Sequence, residues 1–290
     1  MRRFTAAALQ LGPASETMAE TLARILTLID GAARAGATLA VLPELALSPY
    51  FASAVHDDPA VLDPHLDETA NADALAAIAA RAAGHGMSVV ASWAERRDGG
   101  IFNTMSFFDP TGAEAGKFRK VHIPGFTEPK PELQTTILEK RYFRPGDLGF
   151  GVFDLDGLKA GGLICYDRRF PESYRSLMMA GAEVFCVAFN TPVLNDGTLE
   201  RGRAAARMAV CGGAFFNSTH AIAAGKAGVE GGTRYIGDSL ICGPEGEILA
   251  HAQTEGDEVV IAVIDLDRQD RLRAEWDFRA NLRPEAYRAG

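Results

Sequence analysis

The chain has 290 residues, with 29 lysines and arginines against 38 aspartates and glutamates, giving a formal net charge of −9, and 47% of its residues are apolar. This composition excludes a disordered or fibrous chain, and the length lies near the upper size of one hydrophobic core, so a single domain over residues 1–290 is expected. A pI near 5.2 sets the chain against nucleic acid and anionic membranes, which would repel it, and points to small molecules as partners.

From the N-terminus, Met1-Arg2-Arg3 precedes the apolar run Ala6 to Leu9, which Gln10 interrupts. A signal peptide needs an unbroken apolar stretch of at least about seven residues, so Phe4 to Leu11 reads as a first strand. Ala19 to Ala35 carries Leu22, Ile25, Leu26, Leu28 and Ile29 at helical spacing and stops at Gly36, and Leu39 to Leu45 reads as a buried strand. The pattern repeats with a helix over Ala74 to Ala83, a strand over Met87 to Trp93, and a hairpin over Met105 to Lys120 that turns on Asp109-Pro110-Thr111-Gly112. Val121 to Gly151, with Pro124, Pro129, Pro131 and Pro145, has little periodicity and forms a long irregular excursion of the kind that carries function.

Beyond it lie a strand over Leu158 to Cys165, a helix opening near Pro171, a strand over Val184 to Phe189, a helix around Glu200 to Val210, and a strand over Phe215 to Ala224. A second hairpin turns on Gly243-Pro244-Glu245-Gly246 and echoes the first turn, as if the two halves were built alike. Alternating strands and helices indicate an α/β fold with helices covering a sheet. No stretch approaches the ~18 apolar residues of a membrane span.

Cys165, Cys186, Cys211 and Cys242 are dispersed without a C-x-x-C pair, which is the usage of a reducing compartment and suggests a cytoplasmic protein. The six histidines form no H-x-H or H-E-x-x-H pattern, so no metal is expected. Gly225 to Gly232 has glycines without P-loop spacing and reads as a flexible turn.

Three reactive side chains end apolar strand patterns. Glu44 closes Ala40-Val41-Leu42-Pro43-Glu44, where a carboxylate is costly to bury unless it is paired or used, although a strand-end residue can simply turn to solvent. Lys120 closes Phe118-Arg119-Lys120, and nothing in its immediate spacing separates it from a solvated strand lysine. Cys165 closes Ala160-Gly161-Gly162-Leu163-Ile164-Cys165 and is followed by Tyr166-Asp167-Arg168-Arg169-Phe170-Pro171-Glu172, a strand, a polar corner and a helix start. Such an elbow exposes a nucleophile, and the following helix dipole would lower its thiol pKa; a buried structural cysteine is the alternative. The three have a joint logic: Glu44 accepts the thiol proton, and Lys120 stabilises the thiolate and the charge developing on an attacked carbonyl.

With these residues in order, in the contexts Leu-Pro-Glu, Arg-Lys-Val-His-Ile-Pro and Ile-Cys-Tyr-Asp-x-Arg-Phe-Pro-Glu, the chain resembles the carbon–nitrogen hydrolase (nitrilase) superfamily from about Ala7 to Asp267. The resemblance implies a four-layer αββα sandwich, subunits paired as a homodimer or homotetramer, no cofactor, and hydrolysis through a covalent cysteine intermediate. It also implies a second glutamate beside the lysine, which Glu139 in Leu138-Glu139-Lys140-Arg141 matches and which would otherwise read as a surface charge.

Within the superfamily the chain is most similar to N-carbamoyl-amino-acid amidohydrolases, particularly the D-amino-acid type, over Phe118 to Pro124, Leu138 to Gly149, Asp167-Arg168-Arg169, Asn190-Thr191-Pro192 and Ala223 to Lys226. The resemblance implies substrate contacts at His122, Tyr166, Arg168, Arg169, Asn190 and Thr191, with Arg168 suited to a substrate carboxylate and Arg169 to bracing the elbow. Two residues depart from that branch: Tyr166 stands where it typically has Asn, and Ile137 where it has His. The function so implied is hydrolysis of an N-carbamoyl amino acid to the amino acid, ammonia and carbon dioxide. An amidase for carboxylate-bearing linear amides is the alternative within enzymes, and a non-catalytic scaffold the remote one.

Overall fold

Alternation along the strands decides the layering. In Arg3–Gln10, Ala6 and Ala8 point into one apolar cluster and Ala7 and Leu9 into another, all fully buried. In Val184–Phe189, Val184, Cys186 and Ala188 face one way and Phe185, Val187 and Phe189 the other. Strands buried on both faces need a layer above and a layer below.

The structure, a computed structural model, describes residues 2–133, 135–195 and 197–287. The first half runs β1 (Arg3–Gln10), α1 (Met18–Arg34), β2 (Ala37–Val41), α2 (Asp63–Leu66), α3 (Glu68–Ala83), β3 (Ser88–Arg97), β4 (Gly100–Phe108) and β5 (Glu114–Arg119). A long connection holding only α4 (Glu139–Tyr142) leads to β6 (Val152–Asp154), β7 (Lys159–Ile164), α5 (Pro171–Met179), β8 (Val184–Phe189), α6 (Leu199–Phe215) and β9 (His220–Gly225). The hairpin β10 (Ala227–Glu230) and β11 (Thr233–Ile236) follows, then β12 (Leu240–Cys242), β13 (Ile248–His251), β14 (Glu258–Asp265), α7 (Leu266–Trp276) and α8 (Phe278–Asn281).

One sheet has the order β14-β1-β2-β3-β4-β5 and the other β13-β12-β9-β8-β7-β6. In each, three successive strands are parallel, and the flanking pairs are antiparallel. Read from β6 outward, the second sheet repeats the first strand for strand. The turns at Asp109 to Gly112 and Gly243 to Gly246 therefore fall in equivalent places, between β4 and β5 and between β12 and β13.

The sheets face each other across a core that mixes both halves, with Leu39, Val90 and Phe107 against Ile164, Cys186 and Ile222. At Gly162 an added Cβ would lie 2.8 Å from Phe107 and 2.9 Å from Met105, so the approach of β7 to β4 requires a residue without a side chain. Ile25 and Ile29 of α1 and Leu75 and Ile78 of α3 cover the outer face of the first sheet, and Tyr174 and Leu177 of α5 and Ala206 and Val210 of α6 cover the second. The result is the expected four-layer αββα sandwich. Its first helix opens on a capping box, in which the Thr17 hydroxyl accepts from the Glu20 N–H and the Glu20 carboxylate accepts from the Thr17 N–H.

Several elements end elsewhere than the sequence suggests. The strand expected to reach Leu45 stops at Val41, because Pro43 has no N–H to continue the ladder. The strand expected from Phe215 begins only at His220, since α6 runs on to Phe215 and the chain reverses at Ser218, φ 41°. The glycine-rich run expected as a flexible turn contains β10 and turns only at Gly231-Gly232. Among the described residues no helix is long and apolar enough to cross a membrane.

Candidate active site

Glu44 lies three residues beyond the end of β2, Lys120 directly follows β5, Cys165 directly follows β7, and Glu139 opens α4. The backbone turns sharply beside two of them: Leu45, next to Glu44, has φ 49°, and Cys165 itself has φ 47°. Left-handed backbone at a non-glycine residue costs on the order of 1–3 kcal/mol and persists only where the surroundings impose it. Lys120 is held through its own backbone, with its N–H on Asn103 O at 2.8 Å and its carbonyl accepting from the Gly146 N–H at 2.7 Å.

The Lys120 side chain is fully buried, so the solvated reading is overturned. Its Nζ donates to Glu44 Oε1 at 2.7 Å and to Glu139 Oε1 and Oε2 at 2.9 and 2.7 Å. Burial alone would push the ammonium down, but the carboxylates of Glu139 and Glu44 outweigh it and hold Lys120 well above the ordinary lysine range. The Glu139 value also rises: burial and the charge of Glu44 push its carboxyl up to about 7, against the pull of Lys120. Glu44 Oε1 also accepts from Asn103 Nδ2 at 2.7 Å, whereas its buried Oε2 has no hydrogen-bond partner among the described residues.

The nucleophile elbow is braced from two sides. Arg168 Nη1 donates to the Cys165 carbonyl at 3.0 Å and lies 3.5 Å from its Sγ, while Nη2 donates to Thr191 Oγ1 at 2.8 Å. Buried Asp167 accepts from the Ile164 N–H and from the N–H of His122, and its Oδ1 lies 2.7 Å from His122 Nδ1. The His122 ring stacks on Phe170 at 3.6 Å. The α-helix does not begin until Pro171; Cys165–Arg169 forms a 3₁₀ turn first. The expected lowering of the thiol pKa is corrected accordingly: burial and the carboxylate of Glu44 push the Cys165 thiol up, against the opposing pull of Lys120 and Arg168.

In front of Cys165 opens a cavity of about 430 Å³. Tyr50, Glu139, Tyr166, Arg168 and Thr191 line it, and Phe126, Ile137, Val193 and Leu194 add apolar side chains. Arg169 and Arg201 also line it, both exposed and without a side-chain hydrogen bond among the described residues. Asn190 lines it too, fully buried, with neither amide atom partnered among the described residues. His122 is not among the lining residues. Among the described residues no three His, Cys, Asp or Glu side chains are grouped to hold a metal ion.

The carbon-nitrogen hydrolase family pattern matches residues 5–274. The chain belongs to the carbon-nitrogen hydrolases. It is 32% identical to a nitrilase of Pyrococcus abyssi over 90% of both chains. It is 29% identical to an N-carbamoylputrescine amidase of Arabidopsis thaliana, over 94% of this chain and 91% of that one, and 28% identical to a citrullinase of Francisella tularensis, over 94% and 93%. A crystal structure of a carbon-nitrogen hydrolase from Helicobacter pylori is 30% identical and matches with a TM-score of 0.86, over 98% of this chain and 97% of that one.

In this carbon-nitrogen hydrolase the structure brings Glu44, Lys120, Glu139 and Cys165 together, with Arg168 and Thr191 against the thiol. Both arginines line the cavity: Arg168 also holds the elbow carbonyl, and Arg169 is the exposed one. Sequence reading missed Tyr50, whose hydroxyl donates to Glu139 Oε1 at 2.5 Å, together with Asn103 and Arg201. Asn103 left a signal, a polar pair Asn103-Thr104 inside the apolar run of β4, which is costly unless satisfied. Tyr50 and Arg201 left none, since only the fold brings them to the cavity.

Proposed function

We propose that this hydrolase cleaves the ureido group of an N-carbamoyl amino acid through Cys165. The observation that carries the reading is Glu44: one oxygen is occupied by Lys120 and Asn103, and the other is buried and unpartnered in the cluster that acts on the thiol. Such an oxygen is placed to take a proton. The Cys165 Sγ–H proton passes to Glu44, an Sγ–C bond forms at the ureido carbonyl, and Lys120 with the Tyr166 N–H meets the oxyanion. One C–N bond breaks as Glu44 returns the proton to the leaving nitrogen. Glu44 then deprotonates a water whose oxygen bonds the carbamoyl carbon; the C–S bond breaks, Glu44 returns the proton to Sγ, and the carbamic acid released falls apart to carbon dioxide and the remaining amine. Glu139 holds Lys120 in place.

Support for a ureido substrate comes from the relatives named for N-carbamoylputrescine and citrulline, both ureido compounds. Support for a carboxylate comes from the two exposed guanidinium groups in the cavity, Arg169 and Arg201, beside the unpartnered amide of Asn190. The apolar lining of Phe126, Ile137, Val193 and Leu194 suits an apolar side chain on that amino acid. Ammonia release from N-carbamoyl amino acids, N-carbamoyl amines and ω-amides separates the possibilities. Turnover of the first group is expected, and ammonia from ω-amides alone would overturn the ureido reading in favour of a linear amidase.

Pairing of subunits belongs to the same proposal. It is supported by Met179, Met208, Phe215 and Phe216, large apolar side chains left exposed on α5, on α6 and just beyond its end.

A further inference from the structure

A second ion pair, with Lys226 buried and Glu230 largely so, is not used by the reaction above. Lys226, between β9 and β10, is 1% exposed, and its Nζ donates to the carbonyl of Ser48 at 2.6 Å and to Glu230 Oε2 at 3.4 Å. Glu230 Oε2 also accepts from the Ala14 N–H, and Oε1 accepts from the Tyr50 N–H, each at 2.6 Å. Burying two charges recovers little net stability, and apolar residues of like volume would serve as well, so the pair calls for a geometric reason.

That reason is what the pair holds. The segment from Leu45 to Ser53 begins at a left-handed residue; within it the Ser48 N–H donates to the Leu45 carbonyl, the Phe51 N–H to that of Pro49 and the Ser53 N–H to that of Tyr50, whereas the Tyr50 N–H is on Glu230. Lys226 and Glu230 grip it from outside at Ser48 and Tyr50. Tyr50 then spans two clusters: its backbone N–H is on Glu230, and its hydroxyl is on Glu139, whose other contacts are with Lys120. Its ring packs edge-on against Tyr235 at 5.9 Å, and Tyr235 sits on β11, paired with the β10 strand that carries Glu230.

We infer that Lys226 and Glu230 are positioning residues for hydrolysis: through Ser48 and the Tyr50 backbone they fix the phenol on Glu139, and thereby fix Glu139 and Lys120 toward the reacting carbonyl. The inference rests on the reading that Lys120 and Cys165 perform the chemistry. A small displacement of such a group costs rate rather than substrate affinity. The effect should therefore appear in kcat and not in KM, and it should run through Tyr50.

The test is a double-mutant cycle on the full chain, with whichever carbon–nitrogen substrate the parent hydrolyses and Cys165→Ala as the inactive control. Glu230→Gln and Tyr50→Phe are each expected to lower kcat roughly tenfold or more while KM stays within about threefold. The double variant should be no slower than the slower single one, because both changes release the same hydroxyl. Losses in kcat that multiply in the double variant would overturn the inference, as would parental kcat in Glu230→Gln with only a lowered melting temperature. Should Glu230→Gln fail to fold, Lys226→Met/Glu230→Gln removes both charges at near-constant volume and is read in its place. It is expected to melt near the parent and show the same kcat loss, and full parental kcat would overturn the role. Activity retained by Cys165→Ala would instead strike at the underlying mechanism.

Discussion

Arg168 donates to the carbonyl oxygen of Cys165 at 3.0 Å from the same nitrogen that lies 3.5 Å from the thiol sulfur. A guanidinium committed to the nucleophile's own backbone, with its other nitrogen on Thr191, is engaged before substrate arrives. Arg169, the next residue, is exposed and lines the cavity. Both line the cavity, but Arg168 is tied to the elbow and Arg169 is not.

Arg168→Ala is expected to lower kcat on every substrate. Arg169→Ala is expected to raise KM for carboxylate substrates alone. Losing a charge-assisted contact is worth about 1.5–3 kcal/mol, roughly ten- to a hundredfold in specificity constant. Steady-state kinetics on an N-carbamoyl amino acid and on its decarboxylated counterpart check this; equal KM effects on both would place carboxylate recognition elsewhere, with Arg201, Asn190 and Thr191 next in line.

Lys120→Ala should be inactive and less stable, because it leaves Glu44 and Glu139 buried side by side without their cation. Breaking a buried charge cluster by removing one partner costs about 3–5 kcal/mol. Urea titration at neutral pH measures this, and a loss under 1 kcal/mol would mean that the cluster repacks or takes up protons freely.

Glu139 makes stability depend on pH in a definite direction. Its folded pKa of about 7 lies above the ordinary 4.5, so the folded state holds a proton that the unfolded state has lost between those values. Its contribution is fully present below about 4.5 and fades as pH rises toward 7. Glu139→Gln should flatten the fall in unfolding free energy between pH 5 and pH 8. An unchanged slope in the variant would assign the dependence to other groups.

Much of this site was legible before the structure. Glu44, Lys120 and Cys165 each close an apolar strand, and a reactive side chain at the end of a buried strand needs a reason to be there. Local pattern could not reveal that Lys120 is buried, because burial depends on the opposing carboxylates that long-range topology supplies. Tyr50 was invisible for the same reason: its partners, Glu139 and Glu230, lie 89 and 180 residues away. The repeat hinted at by two Pro-Gly turns is real in the sheets, yet one shared turn could not establish it.

Alkylation distinguishes the cysteines. Cys186 and Cys242 are buried, whereas Cys165 and Cys211 are half-buried, and a hydrogen bond from the Cys242 thiol pulls the Cys211 thiol below its ordinary value. Iodoacetamide at neutral pH should therefore modify Cys211 first and Cys165 more slowly, its thiol being pushed up, and spare the other two. An N-carbamoyl amino acid should protect Cys165 alone, as read by peptide mass spectrometry; protection of neither would move the substrate away from this cavity.

Exposed Met208, Phe215 and Phe216 should be covered in solution. Light scattering at micromolar concentration is expected to show a dimer or tetramer, and a monomer throughout would contradict pairing.

The most direct test is ammonia release from N-carbamoyl amino acids by the parent and by Cys165→Ala, with circular dichroism to confirm the fold. Turnover by the parent and none detectable from the variant are expected, because a methyl group at position 165 has no lone pair to form the covalent intermediate. Activity of the variant within tenfold of the parent would contradict it.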